Sequence, residues 1–237
     1  PDELGLRFRD ALVRAQQRGV QVRVLVDAVG AYGLARSFWS PLVLAGGEAR
    51  FFNPIALNRF GIRDHRKLLV CDERVAFIGG FNIAAEYAGD GVTAGWSDIG
   101  LRLESPLAAE MAASFDEMFA LADFRHKRFV RFRKTAAKKI VRHAAEQLLL
   151  SGPGRGVNPI RQSLHRDLKQ ARAVRIMVAY FLPAWRLRRD LARVVRRGGR
   201  VQLLLAGRSD VTVSQLAARR SEERRVGKEC RSRWSPY

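Results

Sequence analysis

Leu4, Phe8, Leu12 and Ala15 recur at helical spacing from the start of the chain, and Gly19 closes the run. Val20 to Val26 alternates and then turns wholly apolar, the pattern of a strand entering a buried sheet. The two together predict an αβ unit. A second helix is predicted over Ser37 to Ala45, stopping at Gly46-Gly47, followed by a short strand at Ala49 to Phe52 and a turn at Asn53-Pro54. Lys67 to Cys71 and Val75 to Ile78 read as a hairpin, with Asp72-Glu73-Arg74 as the connection and Gly79-Gly80 closing it. Ile99 to Leu103 predicts one more strand and Pro106 to Leu121 one more helix.

The chain then repeats itself. Arg18-Gly-Val-Gln-Val-Arg-Val-Leu-Val26 has a counterpart in Arg197-Gly-Gly-Arg-Val-Gln-Leu-Leu-Leu205, offset by 197 − 18 = 179 residues, and each copy follows an amphipathic helix. An extra strand, Val174 to Phe181, precedes the second copy; its counterpart would fall at the very start of the chain or before it. Between the halves, Arg125 to Arg142 holds nine Lys or Arg and no acid, which reads as a basic linker or a solvated, anion-facing run. The expected organisation is a first half over 1–124, a linker over 125–160 and the start of a second half over 161–220. A tail over 221–237, without apolar periodicity, is expected to be non-native and disordered.

Composition narrows the partners. The net charge is +20, from 43 basic and 23 acidic residues, which suits a polyanion: nucleic acid or an anionic membrane surface. With 47% apolar residues a buried core is affordable, and no stretch approaches a membrane span, so membrane contact is expected to be peripheral. Cys71 and Cys230 imply no disulfide framework and fit a reducing compartment, with Cys71 expected in the core. His126, His143 and His165 have no chemical context and read as surface residues.

The chemistry concentrates at His65-Arg-Lys67. Two residues apart on a strand, both side chains leave the same face, so an imidazole and an ammonium share one site. The imidazole can attack phosphorus, while Lys67 and the Asn82 amide stabilise the non-bridging oxygens. Gly79 and Gly80 would let backbone amides approach a phosphate. Asp72, at the turn and of opposite parity, reads as structural. A metal site from His65, Asp64 and Asp72 does not have a recognised ligand spacing.

His65-x-Lys67-x4-Asp72, then six residues, then Gly79-Gly80-x-Asn82, resembles the HxKxxxxD(x6)G(G/S)xN pattern of the phospholipase D superfamily. Phe52-Asn-Pro54, Asn82-x3-Glu86-Tyr87, Trp96-x-Asp98, Tyr180 to Pro183 and Gly207 to Asp210 resemble its bacterial cardiolipin synthase branch. The resemblance implies an α/β sandwich with a mixed central sheet, the first half nearly complete and the second truncated, and metal-independent, cofactor-free catalysis through a phosphohistidine. It implies that a carboxylate accepts the proton of His65; Asp98 stands where it is expected, with Glu86 instead pairing with a basic group at the rim. It also implies a second histidine, which the offset would put near 65 + 179 = 244, beyond Tyr237. The expected activity is phosphatidyl transfer on anionic phospholipids resembling phosphatidylglycerol, at the cytoplasmic face of the bacterial inner membrane, impaired in this chain unless two copies pair. The alternatives are a phospholipase D, a dimeric single-motif nuclease, and an inactive membrane binder.

Overall fold

The computed structural model describes residues 2–52, 63–122, 138–152, 156–179, 181–206 and 233–235. The expectations for Asn53-Pro54, for most of the basic run, for Gly207 to Asp210 and for 221–232 lie outside these. The chain divides into two compact units, Pro1–Gly156 and Val157–Tyr237.

In the first unit, α1 (Glu3–Gln17) starts where Asp2 accepts the Gly5 N–H at 2.8 Å, and ends at Arg18 with Gly19 at φ 90°. β1 (Arg23–Asp27) follows, then a 3-10 turn (Arg36–Trp39), the short α2 (Ser40–Leu44) and β2 (Glu48–Phe52). β2 lies parallel to β1, with Arg23 opposite Glu48 and Asp27 opposite Phe52. The apolar faces of α1, α2 and this pair of strands meet around Val22, Trp39 and Leu42. Leu42 is fully buried, so Leu42→Ala is expected to cost about 2–5 kcal/mol, read as a lower denaturant midpoint.

β3 (Lys67–Cys71), β4 (Val75–Gly79) and β5 (Gly100–Glu104) form an antiparallel sheet. Asp72 and Glu73 turn the first hairpin at φ 52° and 55°, and the Arg74 N–H closes it on the Cys71 carbonyl. Strand alternation splits the sheet. Leu68, Val70, Ala76, Ile78 and Leu103 pack against Ala108 and Met111 of α3 (Leu107–Ala120), while Lys67, Leu69 and Phe77 belong to the other face. Cys71, expected in the core, shares that second face at the strand's end and is exposed. Within the stretch assigned by composition to a linker, β6 (Lys139–His143) and β7 (Glu146–Leu150) form a hairpin whose Leu148 joins the α3 cluster. Lys139 also reaches Glu110 of α3 at 3.1 Å. The class is α/β, as the sequence implied; parallel and antiparallel pairing occur in separate hydrogen-bonded sheets among the described residues.

The second unit holds α4 (Pro159–Gln170), β8 (Ala173–Val178), α5 (Trp185–Arg196) and β9 (Arg200–Ala206), with β8 and β9 parallel and Leu168, Leu191 and Val194 as the core. The repeat is visible in the backbone. α5 ends at Arg197 and Gly198 (φ 81°) just as α1 ends at Arg18 and Gly19. Two expectations are corrected here. His165 is not a free surface residue: its Nδ1 lies 2.5 Å from Asp190 Oδ2, joining α4 to α5, and Asp190 also accepts from Arg193 at 3.2 Å. Residues 233–235, expected to be disordered, form the strand β10 parallel to β9, with Arg233 opposite Leu204. A sheet edge offers unpaired backbone groups to any extended segment, so strand pairing there does not need apolar periodicity.

Candidate active site

His65 does not sit on β3, which begins at Lys67; it lies in the irregular segment 63–66 leading into that strand. The segment is fastened on both sides of the histidine. Arg63 donates through Nε and Nη2 to Asp27 Oδ2, at 3.0 and 2.8 Å, tying the segment to the end of β1. Arg66 donates to both oxygens of Asp64, at 2.8 and 2.9 Å, and to Ser114 Oγ of α3 at 2.8 Å. His65 is thus presented to solvent from a short stretch of backbone with little freedom of its own.

Lys67 is half-buried and turns back on the segment, its Nζ donating to the His65 carbonyl at 3.0 Å. Directly opposite it in register stand Gly79 and then Gly100, so no side chain of β4 or β5 crowds the ammonium from the sheet. The Phe81 ring fills that space: a Cβ on either glycine would lie 2.5 Å from it. Gly80 makes room for Asp98 in the same way, since a Cβ there would stand 2.5 Å from Asp98 Oδ1. The glycines therefore admit Phe81 and Asp98 to the site, a reason the sequence reading did not anticipate.

Asp98 accepts the Ile99 N–H at 2.7 Å, and its charge bears on Lys67; among the described residues no hydrogen bond joins it to His65. The Asn82 amide donates to Tyr87 Oη at 3.4 Å, and Tyr87 packs edge-on against Trp96 at 5.1 Å. Glu86 contributes its backbone carbonyl, accepting the Trp96 N–H at 2.7 Å, and its carboxylate makes no ion pair among the described residues. Asp90 organises the loop by accepting the Thr93 hydroxyl at 2.6 Å and the N–H groups of Val92, Ala94 and Thr93, which together hold its carboxyl far below the usual carboxylate range. Asp72 remains in its turn.

Partial burial pushes the His65 imidazole below its ordinary value of 6.5; the charges of Lys67 and Arg63 add to this, against Asp27 and Asp64. Burial likewise lowers the Lys67 ammonium, with Arg63 adding and Asp27, Asp64 and Asp98 opposing. A lowered value leaves His65 neutral, hence nucleophilic, over a wider range on the acid side. Its acylation by diethyl pyrocarbonate, followed against pH, is therefore expected to fall off below 6.5, not at it.

The structure thus sets an exposed imidazole, its titration lowered, two residues before the half-buried lysine that opens an antiparallel sheet. Comparison with known proteins places this pattern in a family. Residues 5–119 match the family described as "Cardiolipin synthase, PLD-like domain". Cardiolipin synthase B of Escherichia coli (strain K12) is 31% identical over 225 residues, 92% of this chain and 54% of that protein. Cardiolipin synthase 1 of Bacillus cereus is 31% identical over 229 residues, 92% of this chain and 45% of that protein. The crystal structure of phosphatidylserine synthase from Haemophilus influenzae Rd KW20 shares the fold, with a TM-score of 0.69 at 18% identity over 94% of this chain and 61% of that one. Residues 5–119 thus carry a phospholipase D-like domain of the cardiolipin synthase kind, and the chain as a whole is similar to cardiolipin synthases. It spans about half the length of the curated relatives that it matches.

Proposed function

We propose that this chain carries one half-site of a phosphatidyl transfer reaction between phospholipids, the chemistry of cardiolipin synthesis, with His65 as nucleophile. A His65 ring nitrogen forms a bond to phosphorus as the phosphorus–oxygen bond to the leaving alcohol breaks, and a general acid protonates that alcohol. An acceptor hydroxyl, having lost its proton to a base, then attacks the phosphohistidine and frees the imidazole. Lys67 and the Asn82 amide stabilise the charge on the non-bridging oxygens, and Asp98, whose charge already bears on Lys67, accepts a hydrogen bond from the second His65 nitrogen once substrate is engaged. Gly79 and Gly80 keep the approach open, and Asp72 and Glu86 hold the hairpin and the loop. The half-site works on an anionic lipid such as phosphatidylglycerol, as a peripheral protein at the cytoplasmic face of the membrane, the second histidine coming from a further copy of the motif or a second chain. No helix among the described residues is long and apolar enough to cross a membrane.

The observation that carries this reading is the pairing of His65 and Lys67, with the lysine folded onto the histidine's own backbone. The test compares the chain with its His65→Ala variant on phosphatidylglycerol liposomes and on plasmid DNA. Lipid turnover lost with the imidazole supports transfer. Nicking of DNA that depends on His65 replaces the lipid by a nucleic acid, and binding to liposomes without turnover by either protein overturns the catalytic reading of this chain.

A further inference from the structure

Asp27 ends β1, and its side chain is 11% exposed. Its oxygens are used unequally. Oδ2 collects three N–H groups, from Arg63 Nε at 3.0 Å, Arg63 Nη2 at 2.8 Å and Gly30 N at 2.9 Å, while Oδ1 is buried with no partner among the described residues. A carboxylate that only fastened an arginine would take it fork to fork, one N–H on each oxygen. A buried oxygen left without a donor is disfavoured, and native proteins keep few of them. Gly30 shows that the turn after β1 is shaped around the pair, since a Cβ there would lie 3.1 Å from both Arg63 Nη2 and Asp27 Oδ2. Arg63, in turn, stands two residues before His65.

We propose that Asp27 and Arg63 are a positioning pair for His65: the arginine fixes the backbone that presents the imidazole, and the carboxylate holds the arginine and offsets its charge there. This rests on His65 being the reacting group, and adds a residue that neither the motif nor its flanks contain. The groups whose charge bears on His65 are Lys67 and Arg63, which oppose its protonation, and Asp27 and Asp64, which favour it; Asp98 bears on Lys67. Both carboxylates hold an arginine, Asp64 through Arg66 and Asp27 through Arg63, and of the two Asp27 bears the more strongly on the imidazole. A nucleophile at phosphorus must be unprotonated yet still basic, and a site holding two cations without a counter-charge would satisfy the first need at the expense of the second.

The test is titration of the histidine ring protons by NMR in the full chain, with His65 assigned by its loss in His65→Ala. Asp27→Asn is expected to shift the His65 titration further down, and Arg63→Gln to shift it up. The sign separates this from a purely structural role. A loosened segment would hydrate His65, whose lowering comes first from burial, and would move both variants upward towards 6.5. An upward or absent shift in Asp27→Asn, with circular dichroism unchanged, overturns the proposal. Should that variant not fold, the Asp27→Asn, Arg63→Gln double variant decides: a titration below that of Arg63→Gln alone supports the pair, and one equal to it overturns it. No lipid is needed, so the result stands apart from whether phosphatidyl transfer is the reaction.

Discussion

Alanine at position 65 is expected to abolish covalent labelling of the chain and to lower phosphodiester turnover by on the order of 10⁴-fold or more, roughly 5 kcal/mol of transition-state stabilisation. The substrate that isolates this step is a phosphatidyl ester of nitrophenol. Its leaving group departs as a stable anion without a proton, so bond cleavage does not wait on a second histidine. One equivalent of nitrophenolate per chain should appear as a burst, with a phosphoryl adduct that is stable to base and labile to acid. His65 is exposed and outside each core cluster, so the variant should melt with the parent. A burst that persists in His65→Ala would remove the histidine from the chemistry.

Much of the fold was legible because each strand's face is written in its alternation. Leu68, Val70, Ala76 and Ile78 point to α3 while Lys67 does not, and a period of two allows no other arrangement once the hairpin register is set. The same rule reached His65 only approximately, because β3 begins two residues later and arginine anchors, not a ladder, hold the histidine. Those anchors were illegible for a physical reason. Asp27 and Arg63 are 36 residues apart, and His165 and Asp190 are 25 apart on different helices, so nothing local couples them. One signal was present for the first pair: an acidic residue closing the apolar run Val24-Leu25-Val26, where a charge needs a partner. Asp98 was legible in part. The flank Trp96-x-Asp98 suggested a partner for His65, and the fold sets its carboxylate over Gly80 with its charge bearing on Lys67, short of a hydrogen bond to His65 among the described residues.

That arrangement makes Gly80→Ala the most informative conservative change in the site. The backbone at Gly80 is not in the left-handed region, so alanine meets no conformational penalty there. It meets Asp98 instead, with both carboxylate oxygens within 2.6 Å of the added methyl. Ordinary contact needs roughly 3.5 Å or more, so the carboxylate must retreat by about 1 Å, and its bond to the Ile99 N–H ties that retreat to the start of β5. A displacement of that size in a reacting constellation costs on the order of 10²-fold in rate. Gly79→Ala makes the useful contrast, because the group it strikes is the half-exposed Phe81 ring, which can swing towards solvent without disturbing a charge. Nitrophenolate release should therefore fall about 10²-fold in Gly80→Ala, markedly less in Gly79→Ala, and in Asp98→Asn by at least as much as in Gly80→Ala. Equal losses in the two glycine variants would mean that the seat of the Phe81 ring, not the Asp98 carboxylate, is what the glycine pair protects.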